Sequence, residues 1–219
     1  MVKRVDLQSD LFYKKAKEEG YRSRSAFKLR QIVDKFGVIN EGDVVVDLGA
    51  APGGWSQVAD ALVGERGMVI SVDIELIERI NNVVVLRTDI TNEEEAIRAI
   101  RDALLSNDRN AVDVVISDAS PQLSGNKDID QFRSFELSTA ALTIASALLT
   151  NPNRSNFVAK IFQGSYYNQF YTSVKAKFRY TRAYSPAASR KRSAEVYVIG
   201  KGHISTTQLS VELSVSTVF

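Results

Sequence analysis

Asp47-Leu48-Gly49-Ala50-Ala51-Pro52-Gly53-Gly54-Trp55-Ser56-Gln57 is the stretch that decides the fold. Val44, Val45 and Val46 lead into it, and three consecutive β-branched residues read as a buried strand. Gly49 breaks that strand, and Pro52 with the Gly53-Gly54 pair makes a tight turn. A helical pattern follows at once in Ser56, Val58, Ala59 and Leu62. Strand, glycine-rich turn and helix are how an open α/β sheet begins a nucleotide-type site. Glycine is needed there because a side chain would keep the backbone from the ligand.

The loop departs from two phosphate-binding patterns. It is not G-x-x-x-x-G-K-[ST], since no lysine follows the glycines, and Ala-Ala-Pro after Gly49 rules out G-x-G-x-x-G. Those patterns aim N–H groups at anionic oxygens, and Pro52 has no N–H. A nucleoside without phosphates is the expected ligand. The bland alternative is a sharp β-to-α turn with packing glycines only. The nine residues from Asp47 to Trp55 resemble the cofactor loop of the FtsJ-like RNA 2′-O-ribose methyltransferases, which bind S-adenosylmethionine.

Composition sets wider bounds. The chain has 219 residues, 44% of them hydrophobic, enough for one full core, so a single domain over 1–219 is expected. No apolar run reaches the roughly 18 residues of a transmembrane helix, and the Met1-Val2-Lys3-Arg4 start lacks a signal-peptide core. Cysteine is absent, which fits a cytoplasmic protein and excludes thiolate metal sites. His203 is the single histidine, so neither histidine triads nor histidine metal clusters are expected, and no metal is indicated.

The formal charge of +2 hides an asymmetry. Residues 1–35 carry a net +5, residues 36–153 a net −11 and residues 154–203 a net +9. Basic ends around an acidic middle suggest a surface for a polyanion, provided the fold brings the ends together. Residues 1–24 form a basic arm in which Phe12, Tyr13 and Tyr21 alternate with lysines and arginines, a mixture suited to phosphate contact and base stacking. Arg22 and Arg24 in the arm, and Arg190 and Lys191 near the other end, are the candidate RNA contacts.

Along the chain, a helix from Ser25 carries Leu29, Ile32, Val33 and Phe36 on one stripe and ends at Gly37. Lys28 falls at the edge of that stripe, where it either snorkels or points along the body towards a site. A second strand runs from Met68 to Val72 and ends in Asp73, 24 residues after Gly49, where a ribose diol is held in this class of sheet. The third strand, Val83 to Leu86, leads to Asp89. Thr91 reads as the N-cap of a helix opening with Glu93, Glu94 and Glu95. The fourth strand, Val112 to Ser117, ends in Asp118 before Pro121, which points the acid into the ligand crevice. A long helix follows over about 129–149. The fifth strand, Asn156 to Phe162, holds Lys160 among apolar residues, a costly position unless the lysine is paired or used. After a helix over about 166–177, residues 178–192 read as a basic segment, and a final hairpin strand covers 195–200. The extension 203–219 alternates Leu209, Val211, Leu213 and Val215 with polar residues, a half-buried strand pattern.

Three further matches extend the resemblance over about residues 10–202. Tyr21 to Leu29 is similar to the family's opening motif, Ile116 to Pro121 to its catalytic strand end, and Ser189 to Tyr197 to its closing motif. Lys160 also stands in the family's Lys-x-Phe-Gln-Gly setting. Two small departures are Gln122 for asparagine and Ser-Ala-Glu for Ser-Arg-Glu or Ser-Ser-Glu. The resemblance implies a Rossmann-like methyltransferase fold, a mainly parallel seven-stranded sheet with helices on both faces and an antiparallel last strand. It implies a catalytic tetrad of Lys28, Asp118, Lys160 and Glu195, and a cofactor site of Gly49, Gly53, Gly54, Trp55, Asp73, Asp89 and Asp118. It implies methyl transfer from S-adenosylmethionine to a ribose 2′-hydroxyl, on a uridine of large-subunit ribosomal RNA or, alternatively, in a tRNA anticodon loop. Lys160 would meet that hydroxyl as a neutral base or as a positioning charge. Rival readings are a methyltransferase on a non-RNA substrate, an NAD-dependent oxidoreductase lacking its usual fingerprint, and an idle RNA-binding module.

Overall fold

The computed structural model describes residues 4–151, 154–190 and 193–204, the first seven as backbone only. Helices α1 (Arg4–Glu18) and α2 (Ala26–Phe36) open the chain. Then come β1 (Val44–Leu48), α3 (Gly54–Val63), β2 (Met68–Asp73), β3 (Val83–Arg87), α4 (Glu93–Leu105), β4 (Val114–Ser117) and α5 (Lys127–Leu148). The chain continues through β5 (Asn156–Phe162), α6 (Tyr167–Lys177), β6 (Phe178–Tyr184) and β7 (Glu195–His203). The strands form one sheet in the order β3-β2-β1-β4-β5-β7-β6. The first five pair in parallel, and β7 runs antiparallel between β5 and β6.

The three valines of β1 explain its central place. Val44, Val46 and Leu48 face one core cluster and Val45 the other, and both sides are dry. The first cluster packs α4, α5 and α6 through Ile100, Ala141, Ile144 and Phe170. The second packs α2 and α3 through Leu29, Ile32, Trp55 and Val58. A smaller cluster of Ala16, Phe27 and Ala188, with Phe12 and Tyr21 against it, fastens the basic arm to the body. Among the described residues no helix is long and apolar enough to cross a membrane.

Four boundaries correct the sequence reading. Residues 178–184 are the edge strand β6, not an irregular basic segment. Asn92, not Thr91, is the N-cap of α4, because Thr91 is drawn back to Asp89, donating to its Oδ1 through both N and Oγ1 at 2.8 Å. Strand β4 begins at Val114, with Val112 making an isolated bridge to Leu149. His203 closes β7 and is buried beside Phe178, so it belongs to the sheet and not to the extension. The strand expected over residues 209–215 lies outside the described residues.

Candidate active site

The carboxyl ends of β1, β2, β3 and β4 open into one cleft of about 1040 Å³. Gly49, Asp73, Asp89 and Asp118 all line it, Asp73 as the last residue of its strand and the others just beyond theirs. Its walls carry six carboxylates (those three aspartates with Glu75, Glu93 and Glu136) against one cation, Arg133. Such a cleft repels phosphate and favours a ligand with positive charge.

Gly49 makes the cleft possible. It has φ +70°, and a Cβ there would lie 2.5 Å from the Ala119 side chain, closing the gap between the β1 and β4 loops. Asp73 fixes the near lip. Its Oδ2 accepts from Ala51 N at 2.9 Å and its Oδ1 from Glu75 N at 2.8 Å, leaving each oxygen a second lone pair.

Gly53, Gly54 and Trp55 stand at the turn into α3. None lines the cleft. A Cβ on Gly53 would lie 2.8 Å from Ile80 Cδ1, and one on Gly54 would collide with Ser23 Oγ. The Trp55 indole is buried in the core under the tetrad, its ring 5.6 Å from that of Tyr197, and its N–H donates to Ser25 O at 2.9 Å. These residues shape the loop from behind.

Behind Asp118, which lines the cleft, the four side chains of the expected tetrad form a ring of alternating charge. Lys28 Nζ is 3.0 Å from Glu195 Oε2 and 3.6 Å from Asp118 Oδ2. Lys160 Nζ is 3.2 Å from Asp118 Oδ1 and 3.9 Å from Glu195 Oε1, and it donates to Asp118 O at 2.7 Å. Both lysines are buried, at 6% and 4% exposure. Two cations at that depth are tolerated because each faces two carboxylates. Lys28 does not snorkel; it points into the site. Glu195 arrives opposite Phe162 in the β5–β7 register, which sets it beside Lys160.

A fifth member escapes the sequence reading. Tyr197 is fully buried, its hydroxyl donates to Asp118 Oδ1 at 2.7 Å, and Lys28 Nζ lies 5.6 Å above its ring. Its place two residues after Glu195 on one strand was the available signal, since i and i+2 share a face. Burial, then Asp118 and Glu195, push the Tyr197 hydroxyl well above its usual pKa, so it remains a donor. Burial alone would raise Asp118; Lys160, then Lys28 and the Tyr197 hydrogen bond, outweigh it and hold the carboxyl below its ordinary value.

The RNA candidates divide. Arg24 donates to Ala188 O at 3.0 Å, and burial, then the nearby Arg190, lowers its pKa. Arg190 is exposed near Arg24. Arg22 spends its guanidinium on backbone carbonyls of the neighbouring loops. Lys191 lies outside the described residues.

Comparison with known proteins agrees with this geometry. A model of the FtsJ-like methyltransferases matches residues 21–203. Ribosomal RNA large subunit methyltransferase E of Methanothrix thermoacetophila is 52% identical over 94% of this chain and 77% of its own. The protein of the same name in Archaeoglobus fulgidus is 50% identical over 89% of this chain and 96% of its own. A crystal structure from Plasmodium falciparum, of a protein assigned as a ribosomal RNA methyltransferase, shares the fold with a TM-score of 0.72 at 24% identity, over 84% of this chain and 100% of that one. With its motifs, its strand order and these relatives in agreement, this chain belongs to the FtsJ-like methyltransferase family.

Proposed function

We propose that this chain transfers a methyl group from S-adenosylmethionine to the 2′-hydroxyl of a uridine ribose in large-subunit ribosomal RNA. The observation that carries the reading is the charge ring of Lys28, Asp118, Lys160 and Glu195, joined through Asp118 to an acidic, nucleoside-sized cleft. The names of the archaeal relatives support ribosomal RNA as the target. Such a target fits work in the cytoplasm by a single catalytic domain, with residues 1–24 as its basic arm and an extension after His203.

The cleft suits the cofactor on three counts. It is wide enough for a nucleoside joined to an amino acid. Its excess of carboxylates matches a sulfonium and an ammonium. Asp73 keeps free lone pairs for a ribose diol, and Asp89, on the cleft wall two residues past β3, is the acid that the family resemblance sets beside the base. When bound, S-adenosylmethionine supplies a methyl carbon already activated by positive sulfur.

The protein's own work is alignment and charge. Lys160 Nζ, with one N–H held by Asp118 O, can turn another towards a ribose oxygen. Flanked by two carboxylates, it is arranged as a cationic donor that orients the 2′-oxygen and steadies charge developing on it. Lys28 and Tyr197 hold the Asp118 carboxylate from its other sides. Arg24 and Arg190 offer positive charge for the RNA backbone on the acceptor side.

Calorimetry with S-adenosylmethionine beside NAD tests the cofactor, with saturable binding expected for the first and none for the second. Transfer of labelled methyl to large-subunit RNA, tRNA and protein tests the acceptor. Label on ribose 2′-oxygens of large-subunit RNA is expected. Label on tRNA would move the target, and label confined to protein would overturn the reading.

A further inference from the structure

We infer that Arg22 is a positioning residue of the cofactor site and not a contact to RNA phosphate. The inference rests on the reading of the cleft as an S-adenosylmethionine site. Arg22 Nη1 donates to Glu78 O at 2.6 Å and to Pro52 O at 3.2 Å, and Nη2 donates to Arg79 O at 2.9 Å. The three carbonyls come from two separate segments, the loop after β1 and the segment after β2. Both segments border the cleft, the first through Ala51 and the second through Asp73 to Glu75.

The guanidinium therefore closes a clasp over the near lip. From the cleft side the same two segments are joined by Ala51 N donating to Asp73 Oδ2. From the outer side they are joined by Arg22. The backbone of Arg22 is itself anchored to α3, with its N–H donating to Gln57 Oε1 at 2.8 Å while Gln57 Nε2 donates to Gly20 O at 3.1 Å. A Cβ on Gly53 would lie 3.1 Å from Nη1, so that glycine keeps the space the clasp occupies.

The chemistry favours arginine over any other cation. A planar fork of five N–H groups reaches three carbonyls in different directions, whereas a lysine ammonium is a single point. Both N–H groups of Nη1 and one of Nη2 are taken by these carbonyls. Only Nε–H and one Nη2 N–H remain for any other acceptor.

Arg22→Ala and Arg22→Lys separate the two roles. Wild-type binding of S-adenosylmethionine by calorimetry is measured first, and its absence would count against the cofactor reading itself. With wild-type binding in hand, Arg22→Ala is expected to bind the cofactor roughly tenfold more weakly and to raise its KM in step. The dependence of RNA affinity on salt should keep its wild-type slope. Arg22→Lys keeps the charge but cannot span three carbonyls, so its cofactor affinity should stay close to that of the alanine variant. Unchanged cofactor affinity in Arg22→Ala, together with a salt slope smaller by about 0.7, would overturn the inference. Should Arg22→Ala fail to fold, Arg22→Lys decides alone: wild-type cofactor affinity overturns the inference, and weakened affinity with an intact salt slope upholds it.

Discussion

Asp47 and Asp118 stand at the ends of neighbouring strands on one side of the sheet, and their surroundings drive them in opposite directions. Asp47 is 1% exposed; the Asp118 side chain is 15% exposed. Burial pushes the Asp47 carboxyl up to about 7, against the opposing hydrogen bond from Ser56 and with added repulsion from Asp118 and Asp73. Asp118 is also desolvated, yet its two lysines and Tyr197 hold it below the ordinary range. Asp47 has two hydroxyls in a row instead, Ser71 Oγ donating to Ser56 Oγ and Ser56 Oγ to Asp47 Oδ2, and its Oδ1 has no partner among the described residues. A cation within reach thus outweighs burial, and hydroxyls do not. One carboxyl is held in its charged form by its neighbours. The other braces the cofactor loop from below, where charge would be a cost.

The comparison breaks most visibly at Lys160. Lys160→Ala should keep the fold and cofactor binding while losing on the order of 10²–10⁴ in single-turnover methyl transfer. Lys160→Arg keeps the charge and cannot be deprotonated. Partial recovery with arginine is expected from the cationic-donor role, and an arginine variant as dead as alanine would require a neutral lysine instead. A near wild-type rate for Lys160→Ala would remove the tetrad from the chemistry altogether.

Asp47 gives the next largest effect. Its raised pKa means the folded state binds a proton that the unfolded chain releases near 4, so this contribution to stability is full at low pH. It is lost as pH rises through about 7, by roughly 4 kcal/mol at most. Asp47→Asn cannot ionise. Denaturant unfolding at pH 5 and pH 8 should show the wild type losing more stability than the asparagine variant across that interval. Equal losses would mean that Asp47 is already ionised at pH 5.

Tyr197→Phe sharpens the other half. It removes one hydrogen bond to the Asp118 carboxylate and leaves the ring under Lys28 in place. A rate loss of about tenfold at saturating cofactor is expected, with the pH–rate profile moved as Asp118 loses a stabilising donor. A stability change with an unmoved profile would make the tyrosine a packing residue. The smallest effect belongs to Arg190→Ala, which should lower the salt slope of RNA binding by about 0.7 and leave cofactor affinity alone.

Much of the cofactor side was legible because it obeys local rules. Val44 to Val46 make a central strand by themselves, and Asp73 and Asp118 stand where a strand must turn. Lys160 is legible because a lysine among Phe157, Val158, Ile161 and Phe162 has no cheap explanation. Lys28 was open between two readings because its partner, Glu195, lies 167 residues away. Arg22 read as a phosphate contact because its receptors are backbone carbonyls, which every residue has and no side-chain pattern announces. Strand β6 read as a basic segment because its exposed positions include Arg179 and Arg182, charges that suit an edge but mask the alternation.

The place of β7 also sets when the enzyme comes to life. It is the last strand among the described residues and pairs with both β5 and β6, so two of the five members of the site, Glu195 and Tyr197, enter with it. A chain synthesised only as far as β6 holds Lys28, Asp118 and Lys160 but neither Glu195 nor Tyr197. The ring is complete only when β7 pairs between β5 and β6.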